Sequence, residues 1–210
     1  MAERSTGAWA LLRHPRAYEA LQRLLGADES RRRFAEEVLR PRPGERVLDI
    51  GCGTAALARH LGPVAYVGFE PNAEYVARGR AENAGRDVTL HAGYFDEAAA
   101  AGLAPFDLVI VSAVLHHMDD RQGEELFRLL ARVTKPEGRV VTLDNVYVPD
   151  QNPVARWLIS LDRGRNVRDP EGYAALARPY FAEVTGEVTH RRLPPYTYWI
   201  MRCRQPRPAG

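Results

Sequence analysis

A glycine turn between a strand and a helix restricts the fold of this sequence more than any other feature. Residues 46–50 (RVLDI) form an apolar run, and Gly51 and Gly53 follow it directly before the helical stretch TAALARHL. A buried strand that leads through a tight turn into a helix is typical of parallel sheets, whose strands are joined by crossover helices. The sequence therefore predicts a strand–turn–helix unit at this point.

The same alternation of strands and helices continues to residue 144. Further strands are predicted at VAYVGF, VTLH, FDLVIVS and RVVTLD, and these runs lack the polar–apolar alternation of a half-exposed strand. Such strands belong to a sheet that is covered on both faces. The last two strand runs, EVTGEVTHR and YTYWIMRC, are too close for anything except an antiparallel hairpin. We predict an α/β fold: a doubly wound, Rossmann-like, mostly parallel sheet with an antiparallel C-terminal β-hairpin and an N-terminal helical lid.

The length of the chain indicates one main domain. A chain of 210 residues can bury one full core but has little room for two. We predict N-terminal helices over residues 1–45, which form a lid or a packing layer, and a main domain over residues 46–204. A substrate-side insertion is predicted at residues 145–169, and residues 205–210 form a tail.

Composition excludes several classes of partner. The longest apolar runs fall short of the roughly 18 residues of a membrane span, which predicts no membrane partner. The net charge is only +2, and Arg31 to Arg33 form the single basic triplet, which is too little clustered positive charge for a nucleic-acid partner.

The two cysteines, Cys52 and Cys203, and the absence of a signal-like stretch predict a cytoplasmic protein. No set of histidines and cysteines has metal-ligand spacing, so no metal is predicted.

The residues around the glycine turn point to a nucleoside-containing ligand. Gly51, Gly53 and Ala56 fit the dinucleotide pattern GxGxxA, and Glu70 follows 19 positions after Gly51, where a carboxylate can receive ribose hydroxyls. Asp49, however, lies where it would repel the diphosphate of NAD. A cationic ligand suits it better, and S-adenosylmethionine combines a ribose with a sulfonium and an ammonium group.

Four segments in order resemble the class I S-adenosylmethionine-dependent methyltransferases. They are VLDIGCGTAALARHL, YVGFEPN, FDLVIVSAVLHHMDD and LARVTKPEGRVVTLD. The resemblance implies that Asp49, Gly51 and Gly53 line the methionine end of the cofactor and that Glu70 binds its ribose. It further implies that the segment after the third strand, which holds Tyr94, Phe95 and Asp96, surrounds the adenine, and that Ser112 lines the crevice.

Two positions depart from the family pattern. Ala55 stands where the family usually has a third glycine, and Tyr94 stands where an acidic residue often meets the adenine amino group. Tyr94 or Phe95 is a candidate for stacking on the adenine, and a core position is the alternative for Phe95. Asp49 and Glu70 have helix capping as their alternative role. Cys52 is interpreted as a small filler residue.

Two adjacent histidines after the fourth strand are the candidates for catalysis. Loops at the carboxyl ends of parallel strands form the ligand crevice, and an imidazole there can accept a proton. We predict that His116 faces the crevice and that His117 packs on or caps the helix that begins at Asp119 or Asp120. The arginines of the insertion can recognise an anionic group or form a solvated surface; they are Arg163, Arg165 and Arg168.

The predicted function is methyl transfer from S-adenosylmethionine to a small-molecule acceptor by in-line displacement, with an oxygen, nitrogen or carbon nucleophile. Two alternatives stay open at this point. One is an NAD-dependent oxidoreductase, which the GxGxxA pattern supports, and the other is a non-catalytic module that binds the cofactor. A methyltransferase acting on RNA or protein is disfavoured because no recognition domain is attached.

Overall fold

The structure is a computed structural model that describes residues 27–161, 164–192 and 195–207. Its seven strands are β1 (Arg46–Ile50), β2 (Ala65–Glu70), β3 (Val88–Ala92), β4 (Phe106–Ser112), β5 (Thr134–Asn145), β6 (Phe181–Arg192) and β7 (Pro195–Pro206). They form one sheet in the order β3-β2-β1-β4-β5-β7-β6. The first five strands are parallel, and β7 is antiparallel to both of its neighbours. The predicted mostly parallel sheet with a C-terminal hairpin is confirmed.

Helices join the strands and cover both faces of the sheet. The α-helices are α1 (Ala27–Arg33), α2 (Ala73–Glu82), α3 (Glu97–Ala101), α4 (Asp120–Val133), α5 (Pro153–Ser160) and α6 (Pro170–Ala177). A π-helical segment at Phe34–Leu39 follows α1, and two short 3₁₀ segments occupy Ala56–His60 and Leu115–His117. The start of α4 was predicted from its acidic cap, and Asp119 forms a capping box there with Gln122. No helix in the described ranges is long and apolar enough to cross a membrane.

The core has two halves because successive residues of a strand point to opposite faces of the sheet. On one face, Leu48 and Val109 pack with Phe127 of α4, and on the other, Val47 and Tyr66 pack with helix α2 and the 3₁₀ segment Ala56–His60. Both halves are mainly apolar, and their buried polar groups include Asp49 and Asp144. The central strands are therefore rigid supports for the turns at their carboxyl ends, which carry the predicted site.

Two elements differ from the sequence predictions. The stretch TAALARHL contains the 3₁₀ segment Ala56–His60, and its N-cap Ala55 has a left-handed backbone (φ 52°). Strand β7 runs through Pro206, and the Arg207 amide donates to the Tyr180 carbonyl, so part of the predicted tail belongs to the sheet. The predicted lid over residues 1–45 is described only from residue 27. Helix α1 and the π-helical segment contact Ala56–His60, and residues 1–26 lie outside the described part.

Candidate cofactor and acceptor site

The glycine turn after β1 combines an open surface with a close packing contact. Gly51 and Gly53 have left-handed backbones, with φ of 72° and 57°. A Cβ atom on Gly51 would lie 2.5 Å from Cγ2 of Val114, whereas a Cβ on Gly53 would meet nothing within 4 Å. Gly51 is therefore required for packing against the segment after β4. Gly53 leaves free space at the carboxyl edge of the sheet, where ligands of α/β folds bind.

Glu70 lies at the end of β2 and connects two turns. Its carboxylate accepts hydrogen bonds from the backbone amides of Gly53 (3.0 Å) and Asn72 (2.9 Å). Asn72 in turn caps α2 by accepting from the amide of Glu74. Glu70 thus has a structural contact with the glycine turn itself, and its half-buried carboxylate remains beside the space at Gly53. A role of Glu70 in capping the following helix would explain its hydrogen bond with the Asn72 amide but not the one with the Gly53 amide.

Asp49 is buried, and its partner is a tyrosine from the neighbouring strand. The Tyr66 hydroxyl donates to Oδ2 of Asp49 at 2.6 Å, and Asp49 is only 4% exposed. Burial raises the pKa of Asp49 to about 7, the Tyr66 hydrogen bond acts to lower it, and the negative charge of Glu70 raises it further. In the described part of the chain, Asp49 accepts no hydrogen bond from the amides that begin a helix. It is a buried carboxyl group below the glycine turn.

Cys52 fills the space between these acids. A Cβ on Gly68 would lie 2.6 Å from the Cys52 Sγ, so the thiol occupies the position that a side chain at residue 68 would need. Burial raises the pKa of the Cys52 thiol strongly, and the charges of Asp49 and Glu70 add to the effect. A thiol that stays protonated is a poor nucleophile. These contacts agree with the interpretation of Cys52 as a filler residue.

The segment after β3 places its three predicted cofactor residues in different environments. Tyr94 is 77% exposed, Phe95 is buried against Phe69 with ring centroids 5.3 Å apart, and Asp96 caps α3 by accepting from the Ala99 amide. Phe95 therefore occupies a core position, which was the alternative to stacking on the adenine. A role of Tyr94, Phe95 or Asp96 toward the adenine stays a prediction.

The two adjacent histidines differ in their exposure to solvent. His116 is only 2% exposed, whereas His117 is exposed to solvent, and their rings lie 4.1 Å apart. Ala113 precedes them with a left-handed backbone (φ 58°), and Leu115–His117 form a 3₁₀ segment. This turn directs the first histidine inward and the second outward. His116 is therefore a buried residue of this segment and His117 an exposed one; which of them faces the crevice and acts as a base stays a prediction.

Asp144 is a residue of the site that the sequence analysis missed. It is the residue before the last in β5, is buried, and its Oδ1 lies 2.8 Å from the His116 Nδ1 and 3.2 Å from the His116 backbone nitrogen. Burial raises the pKa of Asp144, and the contacts with His116 counteract part of that shift. The available signal was an acidic residue at the carboxyl end of a strand that was predicted to be buried.

The insertion covers His116. Gly164 packs so closely on the imidazole that a Cβ there would collide with it, and the Asn166 amide donates to the His116 carbonyl at 3.0 Å. Arg168 donates to the carbonyls of Leu115 (3.2 Å) and Met118 (2.8 Å) on either side of the histidine pair. The insertion and the segment after β4 therefore form one packed unit.

The predicted arginines of the insertion have separate surroundings. Arg168 is engaged by these carbonyls and by the Asp120 carboxylate at 2.8 Å, so its guanidinium serves the fold. Arg165 is exposed, and Arg163 lies outside the described residues. Ser112 ends β4 beside Leu143 of β5, at the same edge of the sheet as the other candidates. In the described ranges, no three histidine, cysteine or acidic side chains are grouped for metal binding.

Comparisons with known proteins agree with this geometry. The ubiquinone biosynthesis O-methyltransferase of Caulobacter vibrioides is 33% identical over 106 residues, which are 47% of this chain and 40% of that protein. The cyclopropane-fatty-acyl-phospholipid synthase of Escherichia coli K12 is 29% identical over 118 residues, which are 55% of this chain and 30% of the synthase. The chain thus spans less than half the length of either relative.

A solved structure shows the same fold. The phosphoethanolamine N-methyltransferase 2 of Haemonchus contortus, determined in complex with S-adenosyl-L-methionine, superposes with a TM-score of 0.68 at 13% identity. The superposition covers 99% of this chain and 62% of that one. Identity at this level carries information on the fold alone.

The sheet order and the acid-flanked glycine turn define a class I S-adenosylmethionine-dependent methyltransferase fold. The chain belongs to the methyltransferase domain family, which matches residues 13–178. The resemblance predicted from the four sequence segments is confirmed. The family match also favours the methyltransferase prediction over the NAD-dependent alternative.

Proposed function

We propose that this chain transfers a methyl group from S-adenosylmethionine to a small-molecule acceptor. The observation that carries the proposal is the pair of carboxyl groups at the glycine turn, Asp49 and Glu70. In the part of the chain that the structure describes, neither of them forms an ion pair with a basic side chain. Acids held in this way favour a ligand that brings its own positive charge.

The residues present fit this cofactor. Gly53 leaves space that a Cβ would narrow, Glu70 presents a half-buried carboxylate to that space, and Asp49 lies below it. Carboxylates are suitable acceptors for ribose hydroxyls and for an ammonium group. When bound, S-adenosylmethionine supplies an electrophilic methyl group on a sulfonium centre. The contribution of the chain is then to bind, to orient and to exclude water.

The His116 and Asp144 pair is the proposed proton acceptor of the site. Oδ1 of Asp144 lies 2.8 Å from Nδ1 of His116, which orients the imidazole, and the proton that leaves the acceptor is proposed to move to this pair. His117 is the alternative base because it is exposed at the same edge of the sheet. Either histidine would serve an acceptor that loses a proton when it is methylated.

The acceptor class proposed first is a small molecule with an acidic hydroxyl group. A hydroxyl group loses its proton when its oxygen is methylated, and an imidazole is a side chain that can accept that proton. The ubiquinone biosynthesis enzyme among the relatives is an O-methyltransferase by name. The insertion over His116 is proposed to limit the access of water to this proton transfer.

Replacing Glu70 with alanine tests the proposed cofactor site. We expect adenosylhomocysteine to bind more weakly by about 1.5 to 3 kcal/mol, since a charged acceptor of hydrogen bonds is lost. This corresponds to a dissociation constant raised by about 10- to 150-fold. Titration calorimetry on the folded variant measures the change, and a radiolabelled methyl donor with a set of phenols, amines and thiols measures the reaction.

Glu74→Ala is the matched control because Glu74 is an exposed acid in the first turn of α2, four residues after Glu70. It should bind adenosylhomocysteine as the wild type does. An unchanged affinity in Glu70→Ala would remove Glu70 from the site. Failure of the wild type to bind either adenosylhomocysteine or S-adenosylmethionine would contradict the proposed function itself.

A further inference from the structure

A group of polar side chains lies on one face of the sheet directly below the glycine turn. Tyr66 and Asp49 are on adjacent parallel strands, and the register pairs Tyr66 with Val47 and Asp49 with Gly68. Since alternate residues share a face, the Tyr66 side chain reaches toward Asp49 along the same side of the sheet. Gly68 has no side chain, and this leaves the space into which Cys52 projects. The register of β1 and β2 therefore brings the Tyr66 hydroxyl within hydrogen-bond distance of Asp49.

We propose that Tyr66 is a positioning residue for the cofactor, whose hydroxyl holds Asp49 ionised and oriented toward the amino-acid end of the bound molecule. The inference rests on the proposed function and assigns a role in cofactor binding to Tyr66, which the sequence pattern did not single out. The contact is short, at 2.6 Å, and both side chains are buried, with Tyr66 only 1% exposed. In such surroundings a hydrogen bond to a carboxylate is stronger than at the surface.

The charges that face Asp49 explain why a neutral donor is needed there. Tyr66 approaches it from β2 and Cys52 from the turn, while the charge of Glu70 acts from the end of β2. The neighbour on β4 is the apolar Ile110. Among the described residues, the ionisable groups that act on Asp49 are therefore acidic, and the Tyr66 hydrogen bond is the contact that favours its ionised form before a cation binds.

The pH dependence of ligand affinity follows from this arrangement. Burial raises the pKa of Asp49 to about 7, so the ammonium of the ligand has to compete with a proton at neutral pH. Removing the Tyr66 hydroxyl raises the pKa of Asp49, so the proton competes more strongly with the ammonium group of the ligand. If the pH midpoint of the Asp49 titration rises by about one unit, the affinity for the ammonium-bearing ligand falls. The fall is about five- to tenfold between pH 6 and 7 and less than about twofold at pH 8.5.

The experiment compares two ligands with Tyr66→Phe from pH 6 to pH 8.5. Adenosylhomocysteine carries the ammonium group, and 5′-methylthioadenosine lacks the whole amino-acid end. We expect the affinity midpoint for adenosylhomocysteine to move to higher pH by about one unit, while 5′-methylthioadenosine binds as in the wild type. Tyr173→Phe is the matched control, because it removes a buried tyrosine hydrogen bond to the Asn145 carbonyl in the other half of the core.

Two further variants separate positioning from a loss of packing. In an Asp49→Asn background, Tyr66→Phe should leave the pH profile unchanged, since the titrating group is gone. Incorporation of 3,5-difluorotyrosine at residue 66 preserves the shape and makes the hydroxyl a stronger donor, so the midpoint should move to lower pH. This second substitution keeps the test valid if Tyr66→Phe does not fold.

The role of Tyr66 would be overturned if Tyr66→Phe binds adenosylhomocysteine with the pH midpoint of the wild type. It would also be overturned if the variant loses affinity equally for adenosylhomocysteine and 5′-methylthioadenosine. That result would leave the proposed function intact, because the wild type would still bind adenosylhomocysteine. If the wild type binds neither ligand at any pH, both proposals fail together. The two kinds of failure are thus distinguished by the wild-type titration alone.

Discussion

His116→Ala is expected to lower the turnover of methyl transfer by about 100- to 10,000-fold while the affinity for adenosylhomocysteine changes little. The reason is that a general base acts in the transition state and makes no contribution to cofactor binding. Asp144→Asn should lower turnover by a smaller factor, since the imidazole stays in place but loses its anionic partner. Single-turnover rates with an identified acceptor measure both effects.

The control for this prediction is His60→Ala. His60 makes a histidine–aspartate contact of similar length, 3.0 Å from its Nε2 to Asp28 Oδ1, but on the surface of the protein. Its loss should leave the turnover unchanged. A fall in turnover for His117→Ala and none for His116→Ala would assign the base to the exposed histidine. Wild-type rates in both variants would mean that the site only places an already nucleophilic acceptor.

Asp49→Asn is expected to stabilise the free protein while it weakens cofactor binding. The pKa of Asp49 is raised by burial to about 7, whereas an unfolded chain has an aspartate pKa near 4. Between these values the unfolded state releases its proton and the folded state keeps it, so this group lowers stability as pH rises and the full loss is reached above pH 7. The shift of about three units corresponds to at most about 4 kcal/mol.

Melting curves and denaturant titrations of wild type and Asp49→Asn at pH 4 and pH 8 measure the effect. The variant should be the more stable protein at pH 8, and the difference should vanish near pH 4. Asp107→Asn is a control of opposite sign: burial acts to raise the pKa of Asp107, but the hydrogen bonds from Lys135 and the Arg46 amide, with the charges of Lys135 and Arg139, together lower it. That variant should lose stability at pH 8. Equal stability of Asp49→Asn and wild type at both pH values would contradict the argument.

The strands and the glycine turn were predictable because they depend on local patterns. Apolar runs without alternation identify buried parallel strands, and glycines directly after such a run mark a turn that needs a left-handed backbone. The short 3₁₀ segment Ala56–His60 was not predictable in the same way. Its apolar spacing is that of an α-helix, and the deviation depends on how Ala55 adopts a left-handed backbone in a buried position.

The residues of the site were predictable by position but not by orientation. Asp49, Glu70 and the histidine pair all lie at the carboxyl ends of strands, which the sequence pattern identifies. The direction of His116 depends on the turn at Ala113 and on Gly164 from a distant segment. The Tyr66–Asp49 contact depends on the register between two strands. Such contacts arise only when segments that are far apart in sequence are assembled.

The position of β7 has a consequence for the synthesis of this protein on the ribosome. β7 follows β6 in sequence but lies between β5 and β6 in the sheet. Until residues 195–206 have emerged, the inner edge of β5, with its run of Val140, Val141 and Leu143, has no strand to pair with. An unpaired apolar edge is a site for association with other chains. The nascent chain therefore exposes this edge of β5 after the first five strands have been made and until β7 follows.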